Sequence, residues 1–346
     1  MFDKPAFAGH ESVHHVFDAA TGLRAIIAVH STARGPAAGG CRMWNYETAD
    51  QAFVDALRLS EGMSYKNAMA DLPLGGGKAV IWGNSKTDKT PDLFRALGRA
   101  IETLNGVYWS AEDVGVSVHD MAYAAEETRY VAGLPTGKAA SGDPSPVTAR
   151  GVFLGIKATA LRAFGTDDLN GRHIAVQGVG HVGGYVCGHL ARAGARLTIT
   201  DVNQETLKAV AAATGASVVA PDAIYDVDAD IFSPNALGAI VNPETIGRLK
   251  VKAIAGGANN QLSTPEMGDR LKQTGVLYAP DYVINGGGII NVAAEIAGAY
   301  DPAWVEGKVQ RLVQTLGDVL DQARAEDRAT NRVADELARL RISESR

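Results

Sequence analysis

Cysteine is scarce in this sequence, and long apolar runs are absent. The two cysteines, Cys41 and Cys187, lie far apart in a chain of 346 residues, whereas a zinc or redox motif needs Cys or His at close spacing. No apolar stretch reaches the roughly 18 residues that a membrane helix requires. The sequence therefore predicts neither a metal site nor a membrane segment.

An excess of positive charge is also missing. Asp and Glu number 39 against 33 Lys and Arg, the formal net charge is −6, and no stripe of basic residues occurs, so no nucleic-acid partner is predicted. Residues 1–5 lack the charged segment and apolar run of a secretion signal. Together with two free thiols, which suit a reducing compartment, this pattern predicts a cytoplasmic protein.

The composition is that of a globular protein, with 46% apolar and 21% charged residues and a length sufficient for two domains. In the first half, the hydrophobic pattern predicts strands at His14–Phe17 and Ala25–Val29 and helices at Ala49–Met63 and Pro91–Leu104. Residues 137–146 are rich in Pro, Gly and Ser, which indicates a loop. A domain boundary at this loop gives domains of residues 1–147 and 148–346.

The second half alternates short apolar strands with helices. Helices are predicted at Thr148–Phe164, Val182–Ala193 and Glu205–Thr214, and strands at His173–Gln177, Leu197–Thr200, Ser217–Val219, Ile231–Ser233, Ala253–Ala255 and Leu277–Ala279. Such alternation is typical of a parallel sheet with helices on its faces. Residues 302–340 follow as helices rich in Ala, Leu, Arg and Glu.

Gly178, Gly180 and Gly183 form a G-x-G-x-x-G motif between a predicted strand and a predicted helix. The first glycine permits a tight turn, the second lets a pyrophosphate approach the backbone, and the third allows close helix–strand packing. The start of the helix offers free N–H groups to phosphates. The motif in this context predicts a dinucleotide site on a Rossmann-type, doubly wound sheet.

Asp201 ends the next predicted strand, 23 positions after Gly178. A carboxylate at this place accepts hydrogen bonds from the adenosine ribose and repels a 2′-phosphate. Residues 202–204 contain no Arg that would offset the repulsion. The predicted cofactor is therefore NAD rather than NADP.

Two lysines flank a glycine-rich segment in the first half, Lys66 and Lys78. The segment is not a phosphate-binding P-loop, because Ala79 stands where Ser or Thr is needed and a strand follows instead of a helix. Three glycines before Lys78 predict a turn that leads into a buried apolar strand, and burial there would favour the neutral amine that acts as a base. The alternative is that both are ordinary lysines whose stems lie along apolar surface.

Asp113 follows the apolar stretch Val107–Trp109. A carboxylate at the end of a strand suits proton transfer. It would also suit an N-cap for a predicted helix at His119–Thr128, although Ser117 is better placed for that role. Glu112 competes with Asp113 on the same argument.

The combined motifs resemble those of the Glu/Leu/Phe/Val dehydrogenase family, in its leucine, phenylalanine and valine dehydrogenase branch. The resemblance extends from about residue 25 to residue 299. It rests on segments that occur in the family's order, namely Gly35–Arg42, Lys66–Lys78, Glu112–Gly115, Asp143–Val152, the dinucleotide motif, Ala258–Leu262 and Tyr278–Gly288. The implied fold is α/β with two domains, an N-terminal substrate domain and a Rossmann-type NAD domain, with C-terminal helices packing back.

The resemblance implies that Lys66 pairs with the substrate carboxylate, Lys78 acts as the general acid/base, and Asp113 shuttles the protons of the amine. It places the substrate against Gly39, Gly40, Met63, Asn259, Asn285, Ile289 and Val292. It places the cofactor against Thr148, Gly178, Gly180, His181, Val182, Gly183, Asp201, Val202 and Asn259. The implied reaction is the reversible, NAD-dependent oxidative deamination of an L-amino acid to its 2-oxo acid and ammonia by a homo-oligomer, a dimer or an octamer.

The implied pocket residues Ile289 and Val292 are apolar, where a glutamate-specific enzyme needs a cation. An aliphatic or aromatic amino acid is therefore favoured, and Leu, Val, Ile, Phe and Trp all remain open. Two residues depart from the family's pattern, since Gly286 stands where Ala is usual and Asn235 where Cys is common. These departures bear on substrate choice and local cofactor contacts.

Two other functions are compatible with the dinucleotide motif. A hydroxy-acid dehydrogenase would use a His–carboxylate pair, for which His119 and Asp120 are the candidates. A non-catalytic, NAD-binding redox sensor would not require both Lys66 and Lys78. Loss of turnover with retained NAD binding on substitution of Lys78 would separate the dehydrogenase from the sensor.

Overall fold

The structure is a computed structural model that describes residues 2–134, 136, 142–236, 238–298 and 300–345. Contacts divide the chain into two compact units, the first comprising Met1–Pro144, Ile289–Val305 and Ala338–Arg346, and the second Ser145–Gly288 and Glu306–Leu337. Residues 137–141 of the predicted loop lie outside the described residues, and the boundary after residue 147 stays a prediction. None of the helices in the described ranges is both long and apolar enough to cross a membrane.

The first unit is built on a mixed five-stranded sheet. Its strands are β1 (Ser12–Asp18), β2 (Leu23–Ser31), β3 (Ala37–Trp44), β4 (Gly75–Trp82) and β5 (Tyr108–Glu112), in the spatial order β1-β2-β4-β3-β5. The predicted strands His14–Phe17 and Ala25–Val29 are confirmed within the longer β1 and β2, which pair as antiparallel neighbours. Strand β3 was not predicted, because its Gly-rich sequence has no apolar alternation; it runs parallel to both β4 and β5.

Helices α1 (Ala49–Met69), α2 (Pro91–Glu102) and α3 (Val118–Ala125) belong to the same unit. The prediction that the first helix ends at Met63 is wrong, because the helix continues through Gly62 and Ser64 to Met69 and contains no Pro. At Asp71 the backbone adopts a φ of +52°, and the chain leaves the helix. Lys66 therefore lies inside the last turn of α1, rather than after the helix.

The predicted glycine turn before Lys78 is also wrong, because Gly75–Gly77 are part of β4. Helix α1 packs closely on this strand, and a Cβ atom at Gly76 would lie 2.1 Å from the backbone nitrogen of Ser64. Asn67 of α1 donates a hydrogen bond from Nδ2 to the Gly75 carbonyl at 2.5 Å. The glycines thus allow the helix that carries Lys66 to approach the strand that carries Lys78.

The second unit contains a six-stranded, fully parallel sheet. Its strands are β6 (His173–Gln177), β7 (Arg196–Thr200), β8 (Ser217–Val218), β9 (Ile231–Pro234), β10 (Ala253–Ile254) and β11 (Leu277–Tyr278), in the order β11-β10-β9-β6-β7-β8. This is the strand order of a dinucleotide-binding Rossmann sheet, which reverses between β6 and β9. The predicted α/β class with a doubly wound parallel sheet is confirmed.

Further helices follow along the chain, and the first three and the last two of them were predicted. They are α4 (Ser145–Phe164), α5 (His181–Arg192), α6 (Gln204–Thr214), α7 (Glu266–Gln273), α8 (Asp281–Ile284), α9 (Gly287–Ile296), α10 (Pro302–Ala325) and α11 (Thr330–Ser343), with a short 3₁₀ turn at Asp222–Asp226. In α6, residues of the local sequence determine where the helix begins and where it ends. Asn203 caps its first N–H groups, and Gly215 ends it in the left-handed conformation.

The end of α11 groups with the first unit and holds the end of α1. Arg341 donates from Nη1 to the carbonyls of Ala68 and Met69 at 3.2 and 3.1 Å. The last carbonyls of a helix have no partner within the helix, so a cationic side chain that donates hydrogen bonds to them stabilises the helix end. Arg34 in turn donates to the Arg341 carbonyl at 3.2 Å. The last turn of α1, which carries Lys66, is thereby anchored.

Candidate active site

The centre of the candidate site is an ion pair between Lys78 and Asp113. Lys78 is only 5% exposed on the buried strand β4, and its Nζ donates to Oδ2 of Asp113, which directly follows β5. Strand β3 lies between these two strands, and Gly40 leaves the space across which the pair forms. A Cβ atom at Gly40 would lie 2.8 Å from the Cβ of Asp113.

Asp113 carries a stabilised negative charge. Its burial by itself would raise the pKa of the carboxyl, but the cations Lys78 and Arg42 and a hydrogen bond from Lys78 outweigh this effect, so the pKa lies below its usual range. The carboxyl is therefore ionised at neutral pH. The sequence predicts a strand-end carboxylate at Asp113 and a buried lysine at Lys78, and in the structure these two side chains form an ion pair.

Arg42 is a charged residue of the site to which the sequence analysis assigned no role. Its Nε lies 3.6 Å from Oδ2 of Asp113, and its Nη1 donates to Oδ2 of Asp55 at 3.1 Å. Side chains two residues apart on a strand point to the same face, so Arg42 lies on the face of Gly40. An arginine in a strand of mostly buried residues, two positions after Gly40, is the pattern that could have identified it.

Lys66 and Met63 lie three residues apart in the last part of α1 and so share one face of the helix. Both are half-buried. Gly39 of β3 lies close to this helix, since a Cβ atom there would be 2.9 Å from Cγ of Met63. The hydroxyl of Tyr108 donates to the Gly39 carbonyl at 2.7 Å. These contacts place Met63 and Gly39 beside each other.

Ile289 and Val292 are buried on α9, within the first unit. Glu295, one turn further along, accepts hydrogen bonds from the backbone N–H groups of Gly133 at 2.8 Å and Leu134 at 3.2 Å. The chain just before Gly133 pairs with β5, where the Ala132 N–H donates to the Ser110 carbonyl. Glu295 therefore ties the helix that carries Ile289 and Val292 to the strand that precedes Asp113.

Glu295→Ala should loosen this helix and leave two backbone N–H groups without their acceptor. We expect a loss of about 2–4 kcal/mol in the free energy of unfolding, because the lost bonds are to a charged group, and a raised KM for the substrate. Urea unfolding and steady-state kinetics measure both. Glu244→Ala, on the exposed surface, is the matched control, and equal behaviour of the two variants would contradict the anchoring role.

The predicted cofactor residues surround the start of α5 in the second unit. Gly178 has a φ of +86°, which favours glycine, and a Cβ atom there would lie 2.6 Å from that of Ala236. Gly180 precedes the helix without a side-chain cap and has open space beside it. Gly183 packs on the Gly178 carbonyl, whereas His181 is exposed and Val182 half-buried. The helix start thus presents backbone N–H groups, which attract anions.

Asp201 follows β7 and faces the glycine turn. Its Oδ2 accepts from the Val179 N–H at 2.7 Å and its Oδ1 from the Asn203 N–H at 2.8 Å. A carboxylate has about four acceptor positions, so both oxygens can accept further bonds. Val202 beside it is 85% exposed. This arrangement fits a ribose with free hydroxyls.

Asn259, Asn285 and Thr148 also belong to the second unit. The buried Asn285 donates from Nδ2 to Oδ1 of the exposed Asn259 at 2.8 Å. Its own Oδ1 is buried without a hydrogen-bond partner in the described part of the chain. Thr148 lies in the first turn of α4, against which Gly287 packs closely. An acceptor left unsatisfied in this way fits a ligand that brings a donor.

The two departures from the family's pattern have local explanations. Asn235 donates from Nδ2 to the Ser233 carbonyl at 3.0 Å and accepts from the Gly257 N–H at 2.9 Å, so it braces the turn after β9. A Cβ atom at Gly286 would lie 3.0 Å from Cδ2 of Leu312. Leu312 therefore occupies part of the space that an alanine at position 286 would need.

The His119–Asp120 pair does not form a catalytic pair. Asp120 accepts from the backbone and hydroxyl of Ser117 in the capping box of α3, and it pairs with Lys89 at 2.5 Å. His119 contacts Tyr123. Ser117 is thus the N-cap that its position predicted. The hydroxy-acid dehydrogenase alternative loses its acid–base residues.

A Rossmann sheet with an uncapped helix start, in a chain that also holds a buried lysine–carboxylate pair, defines a two-domain dehydrogenase. Family models described as "Glu/Leu/Phe/Val dehydrogenase, dimerisation domain" and "Glutamate/Leucine/Phenylalanine/Valine dehydrogenase" match residues 10–130 and 197–334. The leucine dehydrogenase of Bacillus cereus is 50% identical over 96% of this chain and 91% of its own.

Two further relatives are also amino-acid dehydrogenases. The phenylalanine dehydrogenase of Bacillus thermotolerans is 46% identical over 99% of this chain and 90% of its own. The crystal structure of L-tryptophan dehydrogenase from Nostoc punctiforme is 42% identical, covers 97% of each chain and superposes with a TM-score of 0.83. The chain belongs to the Glu/Leu/Phe/Val dehydrogenase family and is an amino-acid dehydrogenase.

Proposed function

We propose that this enzyme catalyses the reversible, NAD-dependent oxidative deamination of an apolar L-amino acid to the 2-oxo acid and ammonia. The observation that carries the proposal is the buried contact of Lys78 with Asp113, on the sheet against which the helix of Lys66 packs. A base, a proton carrier and a cation for a carboxylate are what this reaction needs from the protein.

NAD fits the residues of the second unit. Its pyrophosphate would bind at the start of α5 next to Gly180, and its adenosine ribose would bind Asp201. Thr148, Asn259 and Asn285 would hold the nicotinamide end, where the unpartnered Oδ1 of Asn285 can accept a bond. When bound, NAD takes up the hydride that leaves the α-carbon of the amino acid, which becomes an imine.

The residues of the first unit carry the remaining steps. Lys66 binds the substrate carboxylate and orients the α-carbon. Lys78, in its neutral form, takes a proton from the water that attacks the imine carbon. Asp113 takes a proton from the amine before the oxidation and returns one to the leaving nitrogen, so that ammonia departs. Lys78 releases the water proton to solvent and then takes the hydroxyl proton of the carbinolamine as the carbonyl forms and the C–N bond breaks. Of the two protons that Lys78 releases in each turnover, ammonia takes up one as ammonium and solvent takes the other, while Asp113 ends ionised as it began.

The apolar side chains of Ile289 and Val292 support an apolar substrate. The relatives named above are leucine, phenylalanine and tryptophan dehydrogenases, and an apolar pocket discriminates by only about 1–3 kcal/mol per methylene. We propose a branched-chain or aromatic amino acid. In keeping with the "dimerisation domain" description of residues 10–130, we also propose a homo-oligomer, dimer or octamer, for which light scattering gives the mass.

The test is NADH formation with a panel of L-amino acids at alkaline pH. We expect turnover with at least one of Leu, Val, Ile, Phe or Trp, and much less with Glu, because the apolar side chains proposed for the pocket, Ile289 and Val292, offer its second carboxylate no counter-charge. No turnover with any apolar amino acid would refute the proposal. Faster reduction of NADP than of NAD would refute the role of Asp201, because its carboxylate should repel the 2′-phosphate.

A further inference from the structure

The guanidinium of Arg42 is held between two carboxylates, Asp113 and Asp55. Its Nε is 3.6 Å from Asp113, and its Nη1 donates to Asp55 at 3.1 Å. The side chain is 19% exposed, and Nε has no hydrogen-bond partner in the described part of the chain. A positive charge other than that of Lys78 therefore acts on the Asp113 carboxylate.

A second set of hydrogen bonds holds Asp55, the other carboxylate that contacts this guanidinium. The hydroxyl of Tyr46 donates to the same Oδ2 of Asp55 at 2.5 Å, and the indole of Trp82 donates to the Tyr46 carbonyl at 2.9 Å. Burial, followed by the hydrogen bond to Asp55, raises the pKa of Tyr46, which keeps its hydroxyl protonated and donating. Arg42 is thus fixed from α1 and from the chain beyond β3.

We propose that Arg42 is a positioning residue that holds Asp113 ionised and in place while Lys78 gives up and regains its proton. The inference rests on the function proposed above. Lys78 has to be neutral when it takes a proton from water, so it cannot neutralise Asp113 throughout turnover. A guanidinium does not lose its proton in a protein, and Arg42 therefore supplies the constant counter-charge.

Several titratable or charged groups lie around Asp113 on the elements packed against it. They are Lys78 on β4, Arg42 and Cys41 on β3, Tyr108 and Glu112 on β5, and Asp55 on α1, whereas Asp120 of α3 and its partner Lys89 act on Cys41. Burial raises the pKa of Cys41 to about 12, and burial also raises the pKa of Tyr108. Both are neutral at neutral pH, so Arg42 and Lys78 are the cations that act on Asp113.

The sign of the effect follows from these charges. Burial alone would raise the pKa of Asp113, and Arg42 is one of the two cations that reverse this. Without Arg42, the carboxyl would bind a proton at a higher pH whenever Lys78 is neutral. Activity falls on the acid limb of the pH profile because Asp113 becomes protonated there. This limb should therefore move to higher pH when Arg42 is removed.

The test compares Arg42→Met and Arg42→Lys with the wild type across the pH range of activity. For Arg42→Met we expect kcat to fall about 10- to 100-fold, within the range of acid–base effects, with a nearly unchanged KM for the amino acid and an acid limb at higher pH. Arg42→Lys retains the charge and should return the limb to its wild-type position. Arg95→Met, which removes a half-buried arginine between Asp92 and Glu126 outside the site, should leave kcat and the limb unchanged.

A purely structural role predicts a different result. Arg42→Met would then keep the wild-type kcat and pH profile and lose only thermal stability, which would overturn the proposal. If Arg42→Met does not fold, Arg42→Gln, which keeps a hydrogen-bond donor at this position but no charge, should move the limb in the same direction, and an unmoved limb in that variant overturns the proposal as well. Absence of turnover in the wild type refutes the proposed function instead.

Discussion

Lys78→Ala should lower kcat by about 100- to 10,000-fold, the range that general acid–base catalysis contributes. The variant lacks the group that takes a proton from the attacking water, and no other lysine is held on β4. NAD should still bind with wild-type affinity, because the residues proposed for it lie in the second unit. Single-turnover kinetics and calorimetric titration with NAD measure the two effects.

Lys89→Ala is the matched control, since Lys89 also forms an ion pair with an aspartate, Asp120, but outside the site. It should keep wild-type turnover. If Lys78→Ala kept kcat within a few-fold of the wild type, this result would contradict the mechanism. It would favour the alternative that both lysines are ordinary side chains whose stems lie along apolar surface. Loss of NAD binding in that variant would contradict the separation of the two sets of residues.

Asp113→Asn should reduce both turnover and stability. It leaves Lys78 buried beside Arg42 with no carboxylate between the two cations, and removing one partner of a buried ion pair costs about 3–5 kcal/mol. We expect kcat to fall about 100-fold or more, because the amide cannot exchange the protons of the amine. Denaturant unfolding and steady-state kinetics of the same preparation measure the two losses.

The stability loss should depend on pH with a defined sign. The pKa of Asp113 is depressed in the folded protein, so its contribution is present at pH values above the pKa of an unfolded aspartate, about 3.9, and is lost as pH falls through the folded value. The difference in unfolding free energy between wild type and Asp113→Asn should therefore shrink below about pH 4. A difference that grows on acidification would contradict the ion pair.

Glu112→Gln decides between the two carboxylates that the sequence left open. The Nζ of Lys78 donates a hydrogen bond to Oδ2 of Asp113, so Glu112→Gln should keep most of the turnover. A larger loss of kcat in Glu112→Gln than in Asp113→Asn would transfer the proton-shuttle role to Glu112.

Local patterns in the sequence were enough to predict most of the second unit. The strand His173–Gln177 has the predicted bounds, and the turn at Gly178, the start of α5 and the position of Asp201 follow from residues near one another in the chain. The positions of these elements are determined by the backbone conformations of neighbouring residues and by the spacing of apolar residues along the chain. The NAD choice that depends on Asp201 stays a prediction.

The glycine-rich strands of the first unit could not be predicted in this way. Residues 75–77 suggest a turn by composition, yet they form part of β4, because α1 must approach the strand more closely than a Cβ would permit. Likewise, the length of α1 became clear only from the structure. Packing between elements distant in sequence overrides local propensity at such positions.

By itself the sequence determined the α/β class, the Rossmann motif with its acidic partner and the lysine, aspartate and glycine positions that point to a dehydrogenase. Only the tertiary structure decided which charges meet. Lys78 and Asp113 are 35 positions apart and lie on strands separated by β3, and Arg42 and Asp55 join them from β3 and α1. Such contacts depend on strand order and register, which no local period encodes.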